Sequence, residues 1–359
     1  ARNTTTGCVS AIRKADSAIV NSLPALPAAT SVSRCGTGTV NLTATPSAGE
    51  TIDWYAAASG GTALASGVNS YTTPSLSVTT IYYVQARNTT TGCVSSTRRA
   101  DSAIIYSGVP VISGASVASS TYGSSSVYSI TASNSPTSFF VIGLPTGMTL
   151  NQVTGVITIA PTTLSGVYAL TLTASNFCGS SSTFTLTYTI NKAVVTITGL
   201  TGNSKVYDGT TSATVSGTAA LSGIINPDVV SLTGTPVFNF STANAGNGIS
   251  INTSGYTLSG ASAANYSIAS PTITANITPK ALTITGLTAN DKVYDGTNLA
   301  TVSGTASLSG VISPDVVTIT GSPVYTFSTT QVFTNAPIST TGYTLGGANA
   351  ANYTVTQPT

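Results

Sequence analysis

Histidine is absent from this 359-residue chain, and charged side chains are scarce. The 11 Lys and Arg residues and the 9 Asp and Glu residues make up 6% of the sequence, against about 25% in an ordinary globular protein. Without histidine there can be no Ser-His-Asp or Cys-His catalytic arrangement and no zinc site that uses imidazole. So few acids also disfavour a calcium or two-metal carboxylate site. We therefore predict no catalytic residue, no cofactor and no metal, and we do not expect this segment to be an enzyme.

Long hydrophobic runs and a strong charge of either sign are missing as well. No stretch of 18 apolar residues occurs, so we expect no membrane span in this segment. The net charge of +2 at pH 7 provides no basic surface for nucleic acid. The chain is nevertheless 41% hydrophobic, unlike disordered chains, which combine low hydrophobicity with high charge. A folded chain with a substantial core is therefore expected.

Internal repeats are the strongest feature of the sequence. Residues 1–22 and 86–107 are identical at 17 of 22 positions, with an offset of 85. The motif Lys-Val-Tyr-Asp-Gly at 205–209 recurs at 292–296, and an Ala-Asn-Tyr motif also occurs twice. Both ends of the chain cut through a repeat, so we expect the chain to be a piece of a longer tandem array.

The segments between these motifs have the pattern of short strands. Residues 39–45, 81–86 and 182–190 alternate apolar and polar side chains with period two. Clusters of Gly, Pro and Asn separate them at spacings typical of β-sandwiches. No stretch has a convincing helical period. The sequence therefore predicts an all-β fold of several sandwiches joined by short linkers.

Four stretches of the chain resemble known repeat families. Within 23–108, the segments RCGTG, DWY, GGTAL, YYV and TGCVS resemble the immunoglobulin-like repeat of very large secreted bacterial proteins. Residues 1–22 then form the C-terminal hairpin of a truncated repeat of the same kind. The run GLPTGMTLNQVTGVITIAP makes 109–191 similar to the cadherin-like immunoglobulin repeat, although this stretch has no acid for calcium bridging.

The Tyr-Asp-Gly motifs at 207–209 and 294–296 make residues 192–279 and 280–359 resemble the YDG repeat of bacterial surface adhesins. The second of these repeats is expected to lack its last strand. Together the resemblances imply a tandem array of immunoglobulin-like β-sandwich domains that forms an elongated rod.

The resemblance also bears on the cysteines. It implies a disulfide between Cys35 and Cys93 at one pole of the first complete sandwich, with two reduced, buried thiols as the alternative. Cys178 has no second cysteine in its domain, which predicts a free thiol or an interchain disulfide. Cys8 is equivalent to Cys93 and is expected to pair with a cysteine upstream.

Modification and binding hypotheses rest on short motifs. Asp-Ser-Ala at 16–18 and 101–103 resembles an O-glycosylation sequon of secreted Bacteroides and Flavobacterium proteins, which makes Ser17 and Ser102 candidate sites. The alternative is an ordinary exposed strand. The pairs Trp54-Tyr55 and Phe139-Phe140 are candidate sugar-stacking platforms, but alternation predicts that one member of each pair is buried.

The resemblances imply a structural stalk in a large extracellular bacterial adhesin. The segment would project a terminal adhesive domain from the cell surface for attachment or gliding motility. Its partners would be surface polysaccharide or another cell, bound through domains outside this segment. Glycan-binding modules, spacers of a secreted polysaccharide-degrading enzyme, and a self-assembling extracellular filament are the alternatives.

Overall fold

The computed structural model describes residues 2–9, 12 and 15–359, and the regular secondary structure of these residues is almost entirely β-strand. No α-helix occurs among them; two 3-10 turns, Ala263–Asn265 and Ala350–Asn352, are the helical elements of the described chain. Contacts divide the chain into two compact units. Unit 1 comprises 1–120, 124–163 and 167–189, and unit 2 comprises 121–123, 164–166 and 190–359.

The first sandwich of unit 1 pairs a three-stranded sheet, in the order β1-β3-β6, with a five-stranded sheet, in the order β2-β8-β7-β4-β5. Its strands are β1 (Ala28–Thr30), β2 (Val32–Cys35), β3 (Asn41–Thr45), β4 (Glu50–Tyr55), β5 (Ala65–Ser66), β6 (Ser70–Thr72), β7 (Thr80–Asn88) and β8 (Arg99–Tyr106). Strand β2 runs parallel to β8, whereas the other pairs are antiparallel. The inward-facing side chains of both sheets form the core, including the fully buried Leu42, Ile52, Trp54 and Val84.

The second sandwich has sheets of the orders β10-β18-β16-β13 and β11-β15-β14, with the short β17 beside β16 and a separate β12-β9 pair. Its strands are β9 (Ile112–Ser113), β10 (Val117–Thr121), β11 (Ser126–Ser129), β12 (Thr131–Ala132), β13 (Ser138–Ile142), β14 (Met148–Asn151), β15 (Val156–Ile159), β16 (Gly166–Asn176), β17 (Gly179–Ser180) and β18 (Phe184–Asn191). Alternate residues of the long strands are buried, among them Leu170, Leu172 and Leu186. The period-two pattern therefore encodes this core directly.

Unit 2 contains two successive copies of one arrangement. The first copy has β19 (Ala193–Gly202), β20 (Lys205–Val206), β21 (Val215–Ser222), β22 (Ser231–Phe240), β23 (Gly246–Ser259), β24 (Tyr266–Ala269) and β25 (Ile273–Thr278). The second has β26 (Lys280–Ala289), β27 (Val302–Ser309), β28 (Thr318–Phe327), β29 (Ile338–Gly346) and β30 (Tyr353–Thr356). The sheet orders are β21-β19-β24 and β20-β25-β23-β22 in the first copy, and β27-β26-β30 and β28-β29 in the second.

Paired glycines explain a bulge that both copies share. The register between β19 and β21 shifts between Thr198 and Leu200, where Gly199 has a φ of +81°. A Cβ atom on Gly199 would lie 2.3 Å from the carbonyl oxygen of Thr218, and one on Gly217 would lie 2.1 Å from that of Gly199. Only glycine permits this close approach of two backbones.

The all-β fold of immunoglobulin-like sandwiches that the sequence predicts is confirmed.

The core position of Trp54 leads to a stability prediction. Its ring is fully buried and its Nε1 donates to the carbonyl of Val68 at 2.9 Å. Trp54→Ala should therefore lower the unfolding free energy by about 3–5 kcal/mol because it leaves a large cavity. Phe140, which is 55% exposed, provides the matched control: Phe140→Ala should change stability by less than about 1 kcal/mol. Urea unfolding followed by circular dichroism, a signal that does not require the tryptophan, measures both variants. Equal losses of unfolding free energy would contradict the assignment of Trp54 to the core.

Candidate functional site

The cysteines are paired differently from the prediction. A disulfide joins Cys35 to Cys178, with the Cα atoms 5.1 Å apart, and Cys93 is a half-buried free thiol. The predicted Cys35–Cys93 bond is therefore wrong, and so is the assignment of Cys178 as a free or interchain thiol. Cys8 is an exposed free thiol.

The reason for the correction is that Cys35 and Cys93 lie at opposite poles of the first sandwich. Cys35 pairs in register with Tyr106, at the end of β8. Cys93 lies beyond the far end of β7, where its carbonyl accepts a hydrogen bond from the Asn88 amide. The nine residues of β7 separate these poles by about 26 Å. A disulfide requires Cα atoms within about 7 Å, so the two cysteines cannot meet.

The bond to Cys178 closes a junction between the two sandwiches of unit 1. The ring of Tyr106 stacks on that of Phe177 at 6.3 Å. The Asn176 side chain donates to the carbonyls of Gly108 and Asn134, at 2.8 and 2.7 Å. The connecting backbone is therefore held by covalent, aromatic and hydrogen-bonding contacts. The sequence shows that Cys178 follows Cys93 by 85 residues, the same offset that separates Cys8 from Cys93, but this spacing does not involve Cys35.

Asp101 and Ser102 lie in β8 and face different environments. Asp101 is 1% exposed and neither carboxylate oxygen has a hydrogen-bond partner among the described residues. Burial raises the pKa of this carboxyl to about 6, against an ordinary value of 3.8. Ser102 is half-buried, and its amide donates to the Ser31 hydroxyl. Ser17 is exposed and lies outside any strand. Glycosylation of either serine stays a prediction.

Each Tyr-Asp-Gly motif forms a tight turn. The Asp208 carboxylate accepts hydrogen bonds from the amide and the hydroxyl of Thr210, both at 2.9 Å, and pairs with the Lys205 ammonium at 2.7 Å. Burial opposes ionisation, but these donors together hold the pKa of Asp208 below its usual value. The same contacts recur around Asp295 in the second copy. The acid of the motif therefore has a structural role in the turn, as expected for Asp before Gly.

The tyrosine of the first motif has a different role, because it reaches into the next copy. The Tyr207 hydroxyl donates to the Asp315 carboxylate at 2.9 Å, and the Tyr353 hydroxyl donates to the same oxygen at 2.6 Å. The two rings meet edge to face at 5.3 Å. The buried Asn352 side chain accepts a hydrogen bond from the Ala245 amide at 2.8 Å. We call this set of residues the second junction, because it follows along the chain the first junction, which is described next.

A first junction in unit 2 has the same chemistry. The Tyr122 hydroxyl donates to the Asp228 carboxylate at 2.9 Å, and the Tyr266 hydroxyl does so at 2.5 Å. Asn265 accepts a hydrogen bond from the Ser165 amide at 3.0 Å. The Tyr266 hydroxyl, followed by Tyr122, lowers the pKa of Asp228, whereas burial raises the pKa of Tyr266 to about 12. The junction therefore contains an ionised acid and two neutral phenols at neutral pH.

Neither junction was found from the sequence. Asp228 and Asp315 both follow a proline, at equivalent positions of the repeat, and Tyr266 and Tyr353 close the repeated Ala-Asn-Tyr motif. The recurrence of these residues was visible, but the distance between partners along the chain hid their association. No cluster of potential metal ligands occurs in the part of the chain that the structure describes. Those residues also include no helix with the length and hydrophobicity that a bilayer crossing requires.

Comparison with known families identifies two domain types. Residues 190–274 and 278–359 match the family model of the YDG domain. Residues 24–106 match the family model described as an Ig-like domain, CHU_C associated. No curated protein matches the chain.

Several solved structures are similar to parts of the chain. A candidate alpha-galactosidase from Bacteroides fragilis is 27% identical over 24% of this chain, with a TM-score of 0.23, and the chain spans only 19% of that protein. Immunoglobulin domains 1–5 of Sidekick-1 are 14% identical over 68% of this chain and 58% of their own, with a TM-score of 0.30. An Ig1-2 module of a Drosophila receptor protein tyrosine phosphatase is 13% identical over 46% of this chain and 100% of its own, with a TM-score of 0.20.

The buried Asp101 carboxyl makes stability depend on pH. The pKa of Asp101 in the folded chain, about 6, lies above the ordinary 3.8. The contribution of this carboxyl to the free energy of unfolding is therefore complete below pH 3.8 and is lost as pH rises through 6. Asp101→Asn should therefore stabilise the chain at pH 7, by up to about 3 kcal/mol, and have little effect at pH 4. Asp16→Asn, in the exposed copy of the same motif, is the control. Equal midpoints for Asp101→Asn and the wild type at pH 7 in thermal unfolding would refute this.

The second junction leads to a matched pair of variants. Tyr207→Phe removes one buried donor to Asp315, so we expect the folding equilibrium constant of unit 2 to fall roughly 10- to 100-fold, as for a hydrogen bond to a charged group. Tyr294→Phe removes the hydroxyl of the equivalent tyrosine, which is 61% exposed, and should change stability by less than about 0.5 kcal/mol. Urea denaturation compares the two. If both variants unfolded at the wild-type urea midpoint, the second junction would not stabilise unit 2.

Proposed function

Since this chain carries two YDG domains and one CHU_C-associated Ig-like domain, we propose that it is a structural stalk segment of a large extracellular bacterial adhesin. In this role it holds a terminal adhesive domain away from the cell surface, bears tension and has no catalytic role. Ig-like and YDG domains fit an extracellular surface protein with Ig repeats. The oxidised pair Cys35–Cys178 fits an oxidising compartment.

The observation that carries the proposal is that neighbouring sandwiches within each unit are fastened to one another. In unit 1 the fastening is the Cys35–Cys178 bond. In unit 2 it is the buried contact of Tyr207 with Asp315 and Tyr353. A segment whose task is to transmit force needs such contacts between domains, because flexible linkers would extend before the domains carried any load.

The candidate sugar-binding side chains of the first sandwich are engaged internally, which favours a stalk over a glycan-binding module. Trp54 is fully buried. The Arg98 guanidinium lies 3.3 Å from the ring centroid of Tyr55 and donates to the carbonyls of Ala57 and Gly60. Phe140 is the exposed member of its pair and is the residue left for the alternative. Adhesion to polysaccharide or to another cell is therefore assigned to domains outside this segment, and attachment and gliding are the processes it would serve.

Force spectroscopy tests the stalk role. The segment between Cys35 and Cys178, which are 143 positions apart in the sequence, is shielded from extension while the disulfide is intact. Pulling the chain from its two ends after reduction should therefore add roughly 500 Å of contour length relative to the oxidised chain. Cys93→Ser is the matched control, since Cys93 is a free thiol, and should behave as the wild type. Equal contour lengths before and after reduction would contradict the proposal.

Binding assays separate the stalk from its alternatives. A stalk segment should show no saturable binding to acidic or neutral polysaccharides, and its sedimentation should be independent of concentration. Saturable binding that is lost in Phe140→Ala, with unchanged stability, would support a glycan-binding module instead. Concentration-dependent fibres seen by electron microscopy would support a filament subunit.

A further inference from the structure

We propose that the pole of the second YDG repeat that carries Tyr294 is a docking surface for a further YDG repeat. The partner is defined by its chemistry: an Asp carboxylate beside a Tyr hydroxyl, with a buried Asn side chain close by. This inference goes beyond the stalk role and does not depend on it, because it concerns only which surface covers Tyr294.

The first argument is the equivalence of two tyrosines in different environments. Tyr207 and Tyr294 occupy the same position of the same motif, 87 residues apart. Tyr207 is 4% exposed, since it contacts Asp315 and Tyr353 of the following repeat and also packs with Ile273, Ala275 and Ile277 of β25 in its own repeat. Tyr294 is 61% exposed, although the turn that presents it has the same Lys–Asp pair and Asp–Thr hydrogen bonds. The turn is therefore built, and the surface that covers its tyrosine is not among the described residues.

A second contact of the same pole is also open. In the first repeat, the Ala245 amide donates to the Asn352 side chain. The equivalent residue of the second repeat is Val332, which is 84% exposed. The residues at the two positions that engage the next repeat in the second junction, Tyr294 and Val332, are thus both exposed in the second YDG repeat.

A third contact differs between the two repeats in the same way. A Cβ atom on Gly209 would lie 3.3 Å from the Ile312 side chain, so the turn packs against the repeat that follows. A Cβ atom on the equivalent Gly296 would have no neighbour within 4 Å. Among the described residues, the tyrosine, the loop residue and the turn glycine of the second repeat therefore have no counterpart of the neighbours that Tyr207, Ala245 and Gly209 contact in the following repeat.

The occupant is a further repeat and not a second copy of this chain. A docking partner must offer an Asp–Tyr pair that no other tyrosine has filled. The Asp228–Tyr266 pair already binds Tyr122, and the Asp315–Tyr353 pair already binds Tyr207. A second copy would have to break one of these junctions to bind Tyr294, whereas an additional repeat brings a free pair.

An extended chain tests the proposal. A copy of residues 273–359 joined after Thr359 continues the repeat in register, because residue 359 corresponds to residue 272. In the parent chain, nitration by tetranitromethane should modify Tyr294 and spare Tyr207. In the extended chain, the nitration rate of Tyr294 should fall to that of Tyr207. A shorter extension with a copy of residues 273–279 adds a counterpart of β25 without the Asp–Tyr pair, and Tyr294 should stay reactive.

A measurement of folding stability tests the same Tyr294 hydroxyl. Tyr294→Phe should be neutral in the parent chain but should lower the folding equilibrium constant of the extended chain roughly 10- to 100-fold, as expected for Tyr207→Phe. Continued nitration of Tyr294 in the extended chain, or a neutral Tyr294→Phe there, would overturn the proposal. Loss of Tyr207 protection on extension would overturn it too, since a compatible repeat must dock without disturbing the second junction. Protection of Tyr294 in a concentrated, dimeric parent chain would make a second copy the partner.

Discussion

The hydrogen bond from Tyr207 to Asp315 is the contact on which the continuity of unit 2 depends. It places a phenol from one repeat against a carboxylate of the next, where Tyr353 donates to the same oxygen. The rings of Tyr207 and Tyr353 then belong to one buried cluster with Leu282, which begins the second repeat, and Phe240 of the first. The core of unit 2 therefore runs from one repeat into the next, and the hydrogen bond satisfies the polar ends of the rings that it buries.

The scarcity of charge takes on a positive meaning in this arrangement. Most of the acids hold specific pieces of backbone or neighbouring side chains in place. Asp53 accepts two hydrogen bonds from Arg87 inside the first sandwich. Asp208 fixes a turn, and Asp228 and Asp315 receive the tyrosines of the junctions. The buried Asp101 carboxylate, by contrast, has no hydrogen-bond partner among the described residues. A chain that needs acids only at such points can leave the outward positions of its strands to serine and threonine.

The sequence allowed the fold to be predicted because strand alternation and turn residues are local signals. Leu170 and Leu172 are buried as period two requires, and Asp208 forms the turn that Asp-Gly favours. The cysteine pairing and the junctions depend on contacts that local signals do not encode. Cys35 and Cys178 are 143 residues apart, and which poles of two sandwiches meet is not written in the periodicity of either. A pairing within one domain was the simplest expectation, and the length of β7 excludes it.

Units 1 and 2 connect neighbouring domains with different chemistry. In unit 1, a thiol on the terminal hairpin of one sandwich bonds to a thiol at the end of the sandwich before it. In unit 2, a phenol in a turn of one repeat bonds to an acid of the repeat after it. In unit 2 the device uses one group at each pole of a repeat, so an added repeat brings one new connection and consumes one, whereas the second sandwich of unit 1 has Cys178 as its single cysteine. The unit 2 arrangement has the property that a repeat needs if an array is to lengthen by duplication without new interfaces, and it accounts for the tyrosine that both YDG repeats keep at the same position.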